Sequence, residues 1–548
     1  MSKYEPTDEQ RAIIGADESA LVVAGPGRGK TVTAIAAARA WLARTPEPAR
    51  VLFTSFSNAA VRRIAAAAGI DPAGLDRRVQ FRTIHSLAME VLGNYGRYVG
   101  LRQPAKPLDG TEERLIAAER GWDQSDDEKH RGALNALARD EGLVGFDLMV
   151  PLATELLRSS PTIRRAVGCR YPFIIIDEFQ DTRPEQWSFL KLLGEGSRVV
   201  ALGDPNQMIY ERQHQAAKRR MKEFCTWKGI EPSGFDGPNF RCQVGGIINF
   251  AESLLNGRRH TPAAGDGVQL FAAYPNQRRA TLAAIWSEIR RQVGKTSSIA
   301  VIAPSGGAAS RLAAELRAPD PTSKVPLPIY ARVESNESAL DAFRLAACAA
   351  TDWVRDRTEG NKQVLAVALA VFVTQWSRRK LTDARISTIA KRLGADSRAA
   401  SPLRDYLTGA PPDGFIEFAD GLLAAMEQDK ELASAGGALR KRGMPNLRCI
   451  AVGQGSLFDE YRLARANAGL QGMTISSAPT TLLSMYRAKG REFDFVVLVV
   501  EPRDHSSKVT DDELRRLYYV SATRAREWLG VLHVPGRAGP VLGPVLGT

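Results

Sequence analysis

Short apolar runs ending in small or polar residues punctuate the first 205 positions: "ALVVAG" (20–25), "VLFTS" (51–55), "FIIIDE" (173–178) and "VVALGD" (199–204). Runs this short have strand length, and without apolar–polar alternation they predict strands buried on both faces. A second set comes late, as "SIAVIAP" (298–304), "FDFVVLVV" (493–500) and "LGVLHV" (529–534). Helix-like segments separate the runs, which predicts parallel sheets covered on both sides. The wide gap between the sets predicts two α/β lobes. Ligands of such lobes sit beyond the carboxyl ends of the strands.

Residues 90–165 carry helix-like segments and a polar patch, "GWDQSDDEKHRGALNALARDEG", with no strand pattern. Residues 341–470 are helix-rich too, as in "ALDAFRLAACAATDWVRD". Both read as helical insertions. The expected division is a first lobe from 1–89 and 166–232 with the insertion 90–165. A second lobe follows from 233–340 and 471–536, with the insertion 341–470. The Gly/Pro-rich end, 537–548, predicts a flexible tail. No internal repeat of fixed period is present.

Composition changes this little. Apolar content of 44% and charged content of 25% over 548 residues are ordinary for a globular chain. The balance of 74 Lys+Arg against 61 Asp+Glu, a net +13, points to a polyanionic partner, nucleic acid before membrane. A solvated, Arg-rich surface is the competing reading. Five cysteines without a CxxC pair argue against a disulfide framework and a zinc site. The start, "MSKYEPTDEQRAIIG", lacks an apolar signal core, and the longest apolar stretch, "VLAVALAVFV" (364–373), is far short of the roughly 20 residues that span a bilayer. The expectation is a cytoplasmic chain with no membrane partner.

"AGPGRGKT" (24–31) directly follows the first apolar run. In such a Gly-rich turn, Ala24, Gly25, Gly27 and Gly29 let backbone N–H groups close on phosphates. Lys30 would reach the β and γ phosphates, and Thr31 would hold Mg²⁺. A plain strand-to-helix turn is the bland alternative. The strand in "YPFIIIDEFQDT" (171–182) ends in Asp177 and Glu178. Buried carboxylates need a partner. Facing the turn from a neighbouring strand, Asp177 would bind Mg²⁺ and Glu178 would orient and deprotonate the attacking water. An exposed helix cap is the alternative for that pair.

Together these stretches resemble superfamily-one DNA helicases of the UvrD/Rep group. About eight motifs recur in the family's order across roughly 1–90, 165–340 and 472–535. The resemblance implies two RecA-like lobes, each with a helical insertion, using ATP and Mg²⁺ to move on single-stranded DNA and at duplex junctions, 3′ to 5′. Position by position, Gln10 falls where the family reads adenine. Thr54, Phe56 and Asn58 of "VLFTSFSNAA", Thr83 and His85 of "RTIHSLAMEVL", and Tyr210 of "LGDPNQMIY" fall where it touches DNA. Phe56 would stack on a base; an ordinary core aromatic is its alternative, and a structural histidine is that of His85. Gln207 matches the γ-phosphate sensor. Phe240 matches the aromatic packed on adenine and Arg241 the arginine reaching the γ-phosphate. Gly490 and Glu492 match the ribose site. Arg524 matches the second-lobe arginine finger, with Thr523 and Tyr519 helping to hold it.

Three positions depart from the pattern. Arg28 stands where the family has Ser or Thr. Arg212, followed by Gln213, replaces an aromatic stacking residue, and Tyr486 replaces a histidine. Basic residues in "TQWSRRKLTDARISTIAKRLG" (374–394) and "KRRMKEFCTWKG" (218–229) suit either duplex DNA or a solvated helix face. The compact insertions also resemble the helicase-like subunit of the Gabija phage-defence system. That likeness implies a rival function in antiviral defence, a DNA-sensing ATPase that controls a partner nuclease. A P-loop kinase or GTPase leaves Arg241 and Arg524 unexplained.

Overall fold

The computed structural model describes residues 5–55, 78–122, 126–209, 214–235, 237, 239–242, 244–261, 263, 265–293, 297–317, 332–333, 337–377, 382–393, 401–409, 415–429, 432, 458, 480–501, 509–537 and 539–546. Its strands are, in chain order, β1 (Ala20–Val23), β2 (Val51–Ser55), β3 (Val79–Thr83), β4 (Lys106–Leu108), β5 (Leu143–Gly145), β6 (Phe173–Ile176), β7 (Arg198–Gly203), β8 (Pro232–Gly234), β9 (Val268–Ala272), β10 (Ile299–Ala303), β11 (Arg332–Val333), β12 (Thr480–Ser484), β13 (Phe493–Val499) and β14 (Ala525–His533). Two six-stranded sheets result, ordered β3-β2-β6-β7-β1-β8 and β11-β12-β10-β13-β14-β9. Their pairings are parallel.

Parallel strands need a crossover between them, so helices cover both faces of each sheet. In β6, Phe173 and Ile175 pack in one core with Ala34 and Ile35 of the helix Lys30–Arg44. Ile174 and Ile176 pack in the opposite core with Leu87 and Ala88 of the helix Ile84–Tyr95. That two-sided burial is why the run FIII shows no alternation. β13 behaves alike. Val496 and Leu498 meet the helices Gly245–Asn256 and Asp511–Ala522, while Phe495 and Val497 meet Ile285 and Leu312.

Within 341–470 the described residues are helical apart from short connections, with helices Glu337–Arg355, Glu359–Ser377, Asp383–Leu393, Pro402–Thr408 and Phe415–Gln428. The stretch VLAVALAVFV lies within Glu359–Ser377. Residues 365–373 are buried all round because neighbouring helices enclose them. No described helix is long and apolar enough to cross a membrane. Leu115 of the helix Gly110–Glu119, from the first insertion, joins the same core.

Two expectations need correction. The first insertion is not purely helical, because β4 and β5 form a parallel pair, Lys106 opposite Leu143. Three-residue strands are too short to leave a periodic trace. The end of the chain is not loose either. A helix covers Gly539–Leu546, and Val541, Leu542 and Val545 are buried in the second-lobe core. Its Gly/Pro content concealed an apolar i, i+1, i+4 set that packs inward.

Candidate nucleotide site and nucleic-acid face

β1 delivers the chain into the turn 24–29, and the Ala24 N–H donates to Gly203 O at the end of β7 (3.2 Å). Gly27 and Gly29 have φ of +74° and +84°, a region glycine enters without cost. A Cβ on Gly27 would lie 2.0 Å from Asn239 Oδ1, and one on Gly29 2.7 Å from Gln10 Nε2, so side chains close the turn tightly. Gly29 caps the helix Lys30–Arg44 with no side-chain hydrogen bond, which directs the first-turn N–H groups outward as an anion site. Lys30 folds back, its Nζ donating to Ala24 O (2.6 Å) and Gly25 O (2.9 Å). Burial holds the Lys30 ammonium below its ordinary pKa, against the pull of Asp204, Glu178 and Asp177. Thr31 follows, half-buried.

Asp177 is buried where β6 ends, and its N–H donates to Thr54 O (2.9 Å). Glu178 has φ +53° and ψ +43°, the one non-glycine residue in the left-handed region among the described residues. Gln180 Nε2 donates to Glu178 Oε2 (2.5 Å), and Gln180 Oε1 accepts from the Asp204 N–H (3.1 Å). Contrary to the expectation of a neighbouring strand, the acidic strand β6 is not adjacent to β1. β7 stands between them and ends in buried Asp204. Asp204 accepts from the Asn206 N–H (3.0 Å) and from Gln207 Nε2 (2.8 Å). Burial pushes its carboxyl up, and Lys30 opposes that. Reading the sequence missed Asp204. Its signal was there, because VVALGD ends in an acid as FIIIDE does.

From the second lobe, Glu492 and Arg524 sit at the amino ends of β13 and β14, the opposite edge from the one expected. Arg524 is only 1% exposed. Its Nε donates to Val520 O (2.9 Å), Nη1 to Arg491 O (3.2 Å), and Nη2 to Gln207 Oε1 (2.7 Å) and Thr523 Oγ1 (3.4 Å). Lys489 crosses between the lobes as well, with Nζ 2.6 Å from Asp181 Oδ2 and donating to Gln207 O (2.7 Å). Lys489 was not singled out from the sequence, and Asp181 was read only as part of the acidic end of "YPFIIIDEFQDT", without a partner. Arg241 lies against Glu492 at 2.6 Å, and Glu492 also pairs with Arg526 at 3.0 Å. Gly490 has φ +76° with open space around it. Tyr519 places its hydroxyl 4.0 Å from where a Gly25 Cβ would stand, and burial raises its phenol pKa.

Residues 239–242 are strapped over the turn. Asn239 Nδ2 donates to Pro26 O (2.8 Å), and the Phe240 N–H donates to Gly27 O (2.8 Å). Asn239 Oδ1 accepts from the N–H groups of Arg241 (3.0 Å) and Cys242 (2.9 Å). Phe240 stays 41% exposed, its ring 3.5 Å from a Cβ on Gly29. Buried Gln10 donates through Nε2 to Arg28 O (3.1 Å). The result is a cleft with N–H donors and Lys30 on its floor, carboxylates on one wall, and guanidiniums and an aromatic ring on the other. Its donor set suits a nucleotide triphosphate with a divalent ion beside Asp177 and Thr31. Among the described residues no three or more His, Cys, Asp or Glu side chains form a metal site by themselves, so phosphate oxygens would complete that ion's shell.

The expected DNA contacts fare unevenly. Thr54 is enclosed at the end of β2, so its side chain is a core element and faces no surface. Phe56, Asn58, Tyr210 and Arg212 lie outside the described residues. Thr83 caps the helix Ile84–Tyr95, accepting from the Ser86 N–H (3.2 Å). His85 stacks on Phe146, ring centroids 3.8 Å apart and planes at 20°, and Phe146 is 52% exposed. Burial first, then Arg183, lowers the His85 pKa and favours the neutral ring. Phe146 was not anticipated; a single aromatic at a helix start carries no periodic signal. Tyr486 donates its hydroxyl to Glu513 Oε1 (2.7 Å). Of the basic residues noted in 374–394, Arg392 pairs with buried Asp429 at 2.8 Å, a structural role.

Family models match both ends of the chain. The UvrD/REP helicase N-terminal domain matches residues 6–137 and 128–222, and the UvrD-like helicase C-terminal domain matches 479–532. The ATP-dependent DNA helicase candidate YjcD of Bacillus subtilis (strain 168) is 25% identical over 614 residues, covering 95% of this chain and 78% of that protein. DNA helicase II of Escherichia coli (strain K12) is 26% identical over 49% of this chain and 44% of its own length. A 74-residue stretch is 39% identical to the RecBCD enzyme subunit RecB of Mycolicibacterium smegmatis, covering 13% of this chain. Residues 6–222 and 479–532 thus match UvrD/Rep-type helicase domains, and the chain is similar to proteins named as ATP-dependent DNA helicases.

Proposed function

We propose that the chain is an ATP-driven translocase on single-stranded DNA, moving 3′ to 5′ and opening duplex junctions. The observation that carries this reading is the contact of Arg524, a second-lobe guanidinium, with first-lobe Gln207, itself hydrogen-bonded to Asp204 beside Lys30. A charge change at the triphosphate is thereby linked to the relative position of the lobes. On binding, Lys30 exchanges the Ala24 and Gly25 carbonyls for phosphate oxygens, and Phe240 covers the base while Gln10 reads its edge. Arg241 leaves Glu492 for the γ-phosphate, and Glu492, then paired with Arg526 alone, turns to the ribose. Glu178 orients water for in-line attack and takes its proton, while Arg524 stabilises charge on the transferring group. Mg²⁺, held by Asp177 and Thr31, would supply neutralisation of the phosphates.

The His85–Phe146 pair offers a stacking face for a base, worth ~1–3 kcal/mol and indifferent to sequence. The second reading, a DNA-sensing subunit acting on a partner nuclease with little unwinding of its own, draws support from Tyr486, whose hydroxyl is engaged by Glu513. An unwinding assay on duplexes with a 3′ or a 5′ single-stranded tail tests both. The translocase opens the 3′-tailed duplex alone. DNA-stimulated hydrolysis without opening of either substrate selects the sensor, and opening only of the 5′-tailed duplex rejects the polarity.

A further inference from the structure

Arg28 is the residue of the Gly-rich turn that departs from the family pattern. Its Nη1 donates to the Gly237 carbonyl. On the same side, Pro26 O accepts from Asn239 Nδ2 (2.8 Å) and Gly27 O from the Phe240 N–H (2.8 Å). Three consecutive residues of the turn therefore bond to Gly237, Asn239 and Phe240. Gly237 is pressed from behind, since a Cβ there would lie 2.8 Å from Thr7 Cγ2. Thr7 in turn caps the helix Asp8–Gly15 in a reciprocal capping box with Gln10. Arg28 closes this ring, because its own carbonyl accepts from Gln10 Nε2 (3.1 Å).

We propose that Arg28 is a positioning residue for the base-binding half of the nucleotide site. Its guanidinium pins the strap 237–240, so that Phe240 and Gln10 stand ready around Gly29 before a nucleotide arrives. A strap left loose would have to be ordered on binding, and that entropy would weaken affinity for the base. Positive charge for the phosphates already comes from Lys30 and the helix amino terminus. The inference rests on reading this cleft as the ATP site.

The test uses the full chain with Arg28→Ser, Arg28→Met and Arg28→Lys. Two quantities are measured, the kcat and KM of ATP hydrolysis with saturating single-stranded DNA, and inhibition by inorganic tripolyphosphate, which has no base. Losing one charged hydrogen bond at the strap should raise KM about tenfold in the Ser and Met variants. Their kcat and tripolyphosphate inhibition should stay within about twofold of the parent. Lys, which still reaches a carbonyl, should restore most of the KM. Equal weakening of tripolyphosphate and ATP would make Arg28 a phosphate ligand and overturn the proposal, as would an unchanged KM. A parent chain that turns over no ATP overturns the reading of the cleft itself, and this inference with it.

Discussion

Glu178 combines two properties that rarely coincide, a carboxylate proposed as the general base and a backbone at φ +53°. Such a residue costs of order 1–3 kcal/mol and persists where the surroundings enforce it. Here Asp181 N–H bonds back to Glu178 O (2.9 Å), and Gln180 holds the carboxylate. Glu178→Gln should retain ATP binding while kcat falls by ~10²–10⁴, the usual share of a general base. Binding of a fluorescent ATP analogue beside steady-state hydrolysis checks both halves. Glu178→Gly should also lose hydrolysis, yet be more stable by about 1 kcal/mol, because glycine accepts this conformation unstrained. A melting temperature below that of the parent would refute the strain. Single residues were legible where a motif fixes them, as with Lys30 at the end of a Gly-rich turn. The pairing of Asp181 with Lys489 was not, since it joins positions 308 apart and nothing local announces it.

At the level of elements, β1, β2, β6, β7, β10, β13 and β14 were readable because burial on both faces leaves an unbroken apolar run, whereas β3, β8, β9, β11 and β12 of the same sheets were not. The closing helix Gly539–Leu546 was not, because half of its eight residues are Gly or Pro while packing overrides propensity. That helix lends Val541, Leu542 and Val545 to the second-lobe core. Leu542→Asp should therefore destabilise by ~3 kcal/mol or more, by burying a charge and losing a packed leucine. A urea midpoint equal to that of the parent would show the helix to be dispensable. The helix Glu337–Arg355 allows a pH test. Burial pushes the Cys348 thiol up to about 12, with Asp352 adding to the shift. A folded pKa above the unfolded value stabilises fully below the unfolded pKa and loses that stability as pH rises towards the folded one. Between about pH 9 and 10.5 the loss should approach ~2 kcal/mol, and Cys348→Ala should lack it. Alkylation provides a second check, with exposed Cys169 modified in the native chain and Cys348 spared.

Across the whole molecule, two sheets meet through buried polar bridges. Lys489 reaches Asp181 and the Gln207 carbonyl, while Arg524 reaches the Gln207 side chain. Buried charges are poor glue by themselves, since desolvation offsets much of the attraction, but they are sensitive to a change in any partner. Under the proposed function, a triphosphate placed between Lys30 and Arg524 would alter that balance. The order of the motifs made two lobes legible from sequence. It could not show that the second lobe presents the amino ends of its strands, because strand direction within a folded lobe leaves no mark on composition. The most direct measurement of the coupling is ATP hydrolysis with and without single-stranded DNA, in the parent and in Arg524→Ala. The account predicts at least about tenfold stimulation in the parent, against a variant that binds nucleotide with little change and stays near baseline with DNA present. A variant that hydrolyses and responds to DNA as the parent does would contradict it.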